Sequence, residues 1–319
     1  MQKKLIVILG PTGVGKTELT ISIAEHFHVP IINADSRQIF AELPIGTAAP
    51  TPEQRQRVTH FFVGNHHIND YYSASRFEED VLALLKQLFL NPQDINELNT
   101  DDDAINPYNI ALLSGGSMMY IDAVCNGIDD IPTIDEKTRA DMKHRLEAEG
   151  LPALTEELQR LDPEYWAIVD RKNPRRVVHA LEICKMTGRT YTSFRKQKPR
   201  PRPFDIIKVG LWRERDEMYE RINTRVLNMM EEGLEEEARQ VYPFRELNAL
   251  NTVGYRELFS WFDGTIDKAE AVRQVQSNTR RYMRKQVTWF KHDDSIKWFN
   301  PDDKGNIIKY LEEKIRETR

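Results

Sequence analysis

The chain has 319 residues, which predicts two domains or one domain carrying a large insertion. Two cysteines, Cys125 and Cys184, outside any CxxC pairing, exclude a disulfide scaffold and a structural zinc site, and no apolar run is long enough to span a membrane. A net charge of −5 argues by itself against a nucleic-acid partner, although a polyanion responds to local clusters rather than to the total. The cytoplasm is the expected compartment.

Leu5–Leu9 is a short apolar run that leads straight into glycines, so it reads as a buried parallel strand and not as the core of a signal peptide. Gly10–Thr17 is a loop, Glu18–Phe27 has helical spacing, and Val29–Asn33 reads as a second strand. That order is a βαβ unit and implies a parallel sheet flanked by helices. Phe77–Leu90 is an amphipathic helix. Asn91–Asn109, rich in Asn and Asp and containing Pro92 and Pro107, reads as a solvent-exposed excursion. Ile110–Leu113 is again strand-like and runs into Ser114-Gly115-Gly116. From about Gly127 to Pro203 helical patterns replace strand signals, and Pro199-Arg200-Pro201-Arg202-Pro203 makes a stiff connector. Ile206–Leu211 restores a strand before a helical C-terminal third. The expected fold is an α/β, P-loop NTPase-like core of parallel sheet and helices, residues 1–125 and 204–319, with an inserted helical domain at 126–203.

Gly10-Pro11-Thr12-Gly13-Val14-Gly15-Lys16-Thr17 matches GxxxxGK[ST], with the required strand before it and helix after it. The glycines allow backbone N–H groups to converge on phosphate oxygens, and the helix N-terminus adds positive potential. Lys16 supplies a point charge and Thr17 a hydroxyl for magnesium. A pyrophosphate-bearing ligand follows. ATP is the usual one, but a small-molecule kinase carries a metal-organising Asp at the tip of a later strand. Here Ile110–Leu113 is followed by no such Asp, and the next acid is Asp122. An acid stands instead after the second strand, in Asn33-Ala34-Asp35-Ser36-Arg37-Gln38. If that strand neighbours the first, Asp35 lies near the phosphate loop, at the ligand-binding edge of the sheet. It reads equally as a proton acceptor and as the cap of a turn.

These residues resemble the tRNA dimethylallyltransferase (tRNA isopentenyltransferase) family, over nearly the whole chain. The resemblance rests on Gly-Pro-Thr opening the loop, Ala34–Gln38, Ile45-Gly46-Thr47-Ala48, Gly115-Gly116-Ser117 with Tyr120, and Asn173-Pro174-Arg175-Arg176 with Ala180-Leu181-Glu182. It continues through Val253–Glu257, Thr279-Arg280-Arg281, Lys285-Gln286 and Thr288-Trp289-Phe290. It implies that the loop, Gly10 to Thr17, holds the diphosphate of dimethylallyl diphosphate with Mg2+. Asp35 would act as general base on the exocyclic amine of the adenine 3′ of the anticodon, with Thr12 and Lys16 beside the reacting atoms. It also implies tRNA contacts in Asp35–Gln38 (with Ser36 and Arg37), at Ser117 and Arg139, in Arg175–His179 (with Arg176), in Asn251–Arg256 (with Gly254 and Tyr255) and in Thr279–Gln286 (with Arg280, Arg281 and Arg284). Ala49, Ser117, Met118 and His179 depart from the family's usual Lys, Thr, Gly and Arg. No zinc-finger extension is present.

The residue chemistry agrees. The departing diphosphate needs cations, and Arg221 and Arg225, one helical turn apart, supply them unless they pair with Glu217 or Glu220. Arg171–Arg202 holds eleven Lys and Arg against one acid, Glu182. On a helix spanning Ala271–His292, Arg273, Arg280, Arg284 and Lys291 fall within about 40° of one another. Val272, Val275, Tyr282 and Trp289 are expected to pack inward. Such a stripe reads as RNA-binding surface, or as an ordinary solvated face. Tyr255, Phe194 and Tyr191 are candidate stacking partners for a flipped base, or simple core. The adjacent His66 and His67 read as surface residues. The expected partners are the tRNA anticodon stem-loop and dimethylallyl diphosphate, with no membrane, acting on a monomer. The rival readings are an ATP-dependent kinase and an RNA-binding module with a regulatory pyrophosphate site.

Overall fold

The computed structural model describes residues 2–89, 109–195 and 199–317. The Asn/Asp-rich excursion therefore lies, except for Asn109, outside the described residues. The chain divides into two compact units, Met1–Cys125 with Pro201–Arg319, and Asn126–Arg200.

The first unit is built on a six-stranded sheet of order β3-β2-β4-β1-β5-β6, all parallel. The strands are β1 (Lys4–Leu9), β2 (Ile31–Ala34), β3 (His60–Phe61), β4 (Ile110–Gly115), β5 (Asp205–Leu211) and β6 (Lys297–Phe299). β1 is buried along its whole length because both of its faces are covered, and its unbroken apolar run reflects that. Alternate residues serve opposite layers. Ile6 and Ile8 join the cluster of Leu19, Ile23 and Phe27 from α1 (Lys16–Phe27) and Ile307 and Leu311 from the last helix, Lys304–Arg316. Leu5, Val7 and Leu9 join Phe77, Val81 and Leu85 of α2 (Ala74–Leu88) and Tyr120, Ile121 and Val124 of α3 (Met118–Asn126).

The sheet order corrects one expectation. β2 pairs with β4 and not with β1, so one strand separates the chain at Asp35 from the phosphate loop. Ser114 and Gly115, expected to lie beyond the strand, pair in register with β1 and β2. β3 and β6, two and three residues long, are too short to leave a period-2 pattern. At the connector, the Arg202 side chain is buried: it pairs with Glu78 at 2.7 Å and donates to the carbonyls of Ala123 and Val124.

The second unit is helical: α4 (Glu136–Leu161, broken at Gly150), α5 (Pro163–Ile168), α6 (Pro174–Thr187) and a short turn at Tyr191–Phe194. Its core joins Met142, Leu154, Leu158, Val177, Leu181 and Tyr191. Asp162, 1% exposed, ties the turn down through the N–H and hydroxyl of Thr192. Back in the first unit, the C-terminal third supplies α7 (Arg215–Glu231), α8 (Leu234–Val241), α9 (Tyr255–Phe262) and α10 (Lys268–Phe290). Among the described residues no helix is long and apolar enough to cross a membrane, and both cysteines are free and buried.

Candidate active site

Because the strands are parallel and in register, Leu9, Gly115 and Ala34 form one row across β1, β4 and β2. The segments that follow them therefore leave the sheet together: the phosphate loop, Gly116-Ser117, and Asp35–Gln38. With about 4.8 Å between neighbouring strands, the loop and Asp35 are on the order of 10 Å apart at the backbone. This edge is where an open α/β sheet binds ligands.

The phosphate loop takes its shape from Gly13 and Gly15, whose φ values of +83° and +100° favour glycine. Gly15 caps α1 directly, so the loop's N–H groups and the helix N-terminus point to one place. Lys16 folds back over the loop, and its Nζ donates to the carbonyls of Gly10 and Pro11, both at 2.9 Å. Burial pulls its pKa down to about 8, against the charge of Asp35, which pulls it up, while Arg225 adds to the lowering. Asp35 and Lys16 thus feel each other despite the intervening strand.

Two arginines of α7 reach the same loop. Arg221 Nε donates to the Gly13 carbonyl at 2.9 Å, and Arg225 approaches Thr12 Oγ1 and the Thr47 carbonyl, each at 3.4 Å. Neither pairs with Glu217 or Glu220. Glu217 engages Arg213, which also pairs with Asp302 and donates to the Val14 carbonyl. Burial lowers the pKa of Arg225, and Asp35 opposes the shift. Arg213 is a loop-holding residue that sequence reading missed, since its partners are distant in the chain.

At the other end, Asp35 Oδ1 accepts from the N–H groups of Arg37 at 2.9 Å and Gln38 at 3.3 Å, which is the capping role. Oδ2 makes no hydrogen bond among the described residues, so capping leaves one carboxylate oxygen available as a proton acceptor. The capped turn is braced by Ser117, whose hydroxyl accepts from the Ser36 N–H at 2.8 Å, and by Gln38, which donates to the carbonyls of Thr47 and Ala48. Tyr282 stands beside this turn. Burial of its hydroxyl and the charge of Asp35 raise its pKa to about 12.

Thr17 is exposed in the first turn of α1. Among the described residues no group of three or more His, Cys, Asp or Glu could hold a metal. The residues present fit a magnesium ion held by one hydroxyl and the ligand's own phosphate oxygens, a usual arrangement for that ion.

The expected RNA-facing residues divide. Arg139, Arg175, Arg176, Asn251, Arg256, Arg281 and Arg284 are exposed, and His179 is half-buried 3.7 Å from Glu182. Arg37 donates to the Asn248 carbonyl. Others of the named residues lie away from solvent or against neighbours. Tyr255 is 0% exposed with its hydroxyl on Glu237 at 2.6 Å, so it cannot stack on a base, and Gly254 is buried beside it. Ser117, 6% exposed, spends its hydroxyl on Ser36. Tyr191 is core against Tyr165, and Phe194 lies under Arg189.

The α10 stripe is also rotated from expectation. Its buried line is Ala271, Val275, Met283, Gln286 and Phe290, which leaves Tyr282 and Trp289 37% and 43% exposed. The Arg face turns toward α7, where Arg280 reaches Asn223 and Arg284 the Tyr219 hydroxyl, while Arg273 pairs with Glu270. Of the basic run, Arg202 is spent on Glu78 and Lys185 on Glu157, and Arg171 and Arg195 stack on Trp166 and Tyr165. His66 is half-buried against Tyr72, and only His67 lies fully at the surface.

The IPP transferase family profile matches residues 38–293. This chain belongs to that family. It is 55% identical over 314 residues to tRNA dimethylallyltransferase 1 of Bacteroides fragilis, covering 98% of this chain and 99% of that protein. It is 57% identical over 311 residues to the protein of the same name from Phocaeicola vulgatus, covering 98% of each. The crystal structure of the tRNA isopentenylpyrophosphate transferase from Bacillus halodurans superposes with a TM-score of 0.67 at 30% identity, covering 98% of this chain and 97% of that one.

Proposed function

We propose that this chain transfers a dimethylallyl group from dimethylallyl diphosphate to the exocyclic amine of the adenine 3′ of the anticodon in tRNA. The observation that carries this reading is the pairing of a cationic phosphate loop with a carboxylate two strands along the same sheet edge, close enough for the charge of Asp35 to oppose the lowering of the Lys16 pKa.

In the transfer the allylic C–O bond breaks and a C–N bond forms. The electron pair of the broken bond leaves with diphosphate, and the amine proton passes to Asp35 Oδ2. Lys16, the loop N–H groups, Arg221 and Arg225 neutralise the charge that grows on the leaving group. Thr17 would help hold magnesium, which would supply further neutralisation of the leaving group. Exposed basic residues of α6 and α10 hold RNA phosphates. The adenine must leave its stack to present its amine.

Asp35→Asn tests the reading. Asparagine caps as well as aspartate, so the fold is kept. Loss of a positioned base lowers single-turnover transfer by about 10²–10⁴ with both substrates saturating. Near-normal transfer by a stably folded Asp35→Asn variant would reduce Asp35 to a cap. Turnover of ATP to ADP by the wild-type chain, with no change in the tRNA, would overturn the whole reading.

A further inference from the structure

We propose that Gln286 is a positioning residue of the transfer: it sets the spacing between the diphosphate loop and the acceptor turn and touches neither substrate. The inference rests on the function proposed above. It assigns to Gln286 a role different from the tRNA contact that the resemblance implies for the segment Thr279–Gln286.

Gln286 occupies the buried line of α10, between Met283 in one layer of the core and Phe290 in the other, and is 2% exposed. An apolar side chain would satisfy that helical pattern. An amide there is tolerated only if both of its ends are bonded, and both are. Its Oε1 accepts from the Thr12 backbone N–H at 3.0 Å, and its Nε2 donates to the Gly116 carbonyl at 2.7 Å. One planar group therefore bridges the phosphate loop and the segment after β4. That segment continues directly into Ser117, whose N–H donates to the Ala34 carbonyl and whose hydroxyl receives the Ser36 N–H. The chain of contacts runs from Thr12 through Gln286, Gly116 and Ser117 to the turn that carries Asp35.

Gly116 shows how tight this bridge is. A Cβ there would lie 2.6 Å from Gln286 Nε2 and 3.7 Å from Lys16 Nζ. The bridge thus lies close to the leaving-group lysine. A side chain 2% exposed and bonded at both ends to backbone lies out of reach of an RNA phosphate, but it fixes the distance the allylic carbon must cross.

Gln286→Met keeps the length and removes both hydrogen bonds. Single-turnover transfer with both substrates saturating should fall about 10–100-fold, because misplacement on the ångström scale costs that much. Dimethylallyl diphosphate affinity should change less than about threefold, and the slope of tRNA affinity against salt should stay as in wild type. Gly116→Ala, which pushes the amide from the other side, should show the same split between rate and affinity, and it decides the matter if Gln286→Met melts below the assay temperature. An unimpaired rate in a folded variant would overturn the proposal. So would a loss confined to tRNA affinity with a shallower salt slope, which would make Gln286 an RNA contact. Failure of the wild-type chain to transfer at all would strike the proposed function, a result distinct from either of these.

Discussion

Lys16 is where burial and function meet most directly. Its pKa, lowered to about 8 from an ordinary 10.5, reflects an ammonium desolvated over its own loop. The sign follows. The folded state binds this proton less tightly than the unfolded chain does, so the free protein loses a penalty as pH rises from about 8 toward 10.5. A diphosphate in the loop acts the other way, since nearby negative charge restores the ammonium and raises its pKa. Donor binding should therefore take up a proton above about pH 8, and affinity should fall as pH rises through that value. Titration calorimetry between pH 7 and 9.5 in buffers of different ionisation enthalpy reads both effects (about 1.4 kcal/mol per tenfold loss of affinity). Lys16→Met should flatten the profile, and a wild-type affinity independent of pH would contradict the account. The residue types of this loop were legible in the sequence because GxxxxGK[ST] carries its own geometry. That Asp35 and Arg225 act on Lys16 in particular was not, since they reach it through the sheet order and the packing of α7.

At the scale of elements, the Val253–Glu257 motif shows what sequence similarity conveys and what it conceals. It overlaps the expected tRNA-contacting segment Asn251–Arg256, yet its central tyrosine is fully buried. Glu237 of α8 explains the burial. Its carboxylate accepts from the N–H groups of Ile45 at 2.7 Å and Gly46 at 2.8 Å and from the Tyr255 hydroxyl. A Cβ on Gly46 would lie 2.5 Å from that hydroxyl, so Gly46 and Tyr255 need each other. The Pro44–Thr47 turn fixed in this way offers the Thr47 carbonyl to Gln38 and Arg225, which links two motifs that are far apart in sequence. Glu237→Gln replaces one of the accepting oxygens by a donor facing other donors. It should cost about 1–3 kcal/mol in urea unfolding, and an unchanged unfolding midpoint would show that the carboxylate is dispensable. The rotation of α10 teaches a related lesson. An ideal 100° wheel places Tyr282 and Trp289 opposite the arginines, but the helix seats on Met283, Gln286 and Phe290. A buried glutamine is invisible to a hydrophobic pattern.

At the scale of the molecule, the α/β character, the parallel sheet and the helical segment between two halves of the core were readable. Each rests on long runs: β1 and β4 buried on both faces, α2 amphipathic, and no strand signal between 127 and 203. Sheet order was not readable, because a two-residue strand such as β3 has no pattern and no local signal says that β4 inserts between β1 and β2. The insertion of β4 interposes Gly116 and Ser117 between the phosphate loop and the turn that bears Asp35. The most direct test of the central claim is a mass analysis of nucleosides from unmodified tRNA incubated with the purified chain, magnesium and dimethylallyl diphosphate. The account predicts a dimethylallyl group on the adenosine 3′ of the anticodon, with diphosphate released in equal amount and no product when ATP replaces the prenyl donor. Unaltered adenosine beside tightly bound tRNA and diphosphate would contradict it, leaving a protein that binds both and joins neither.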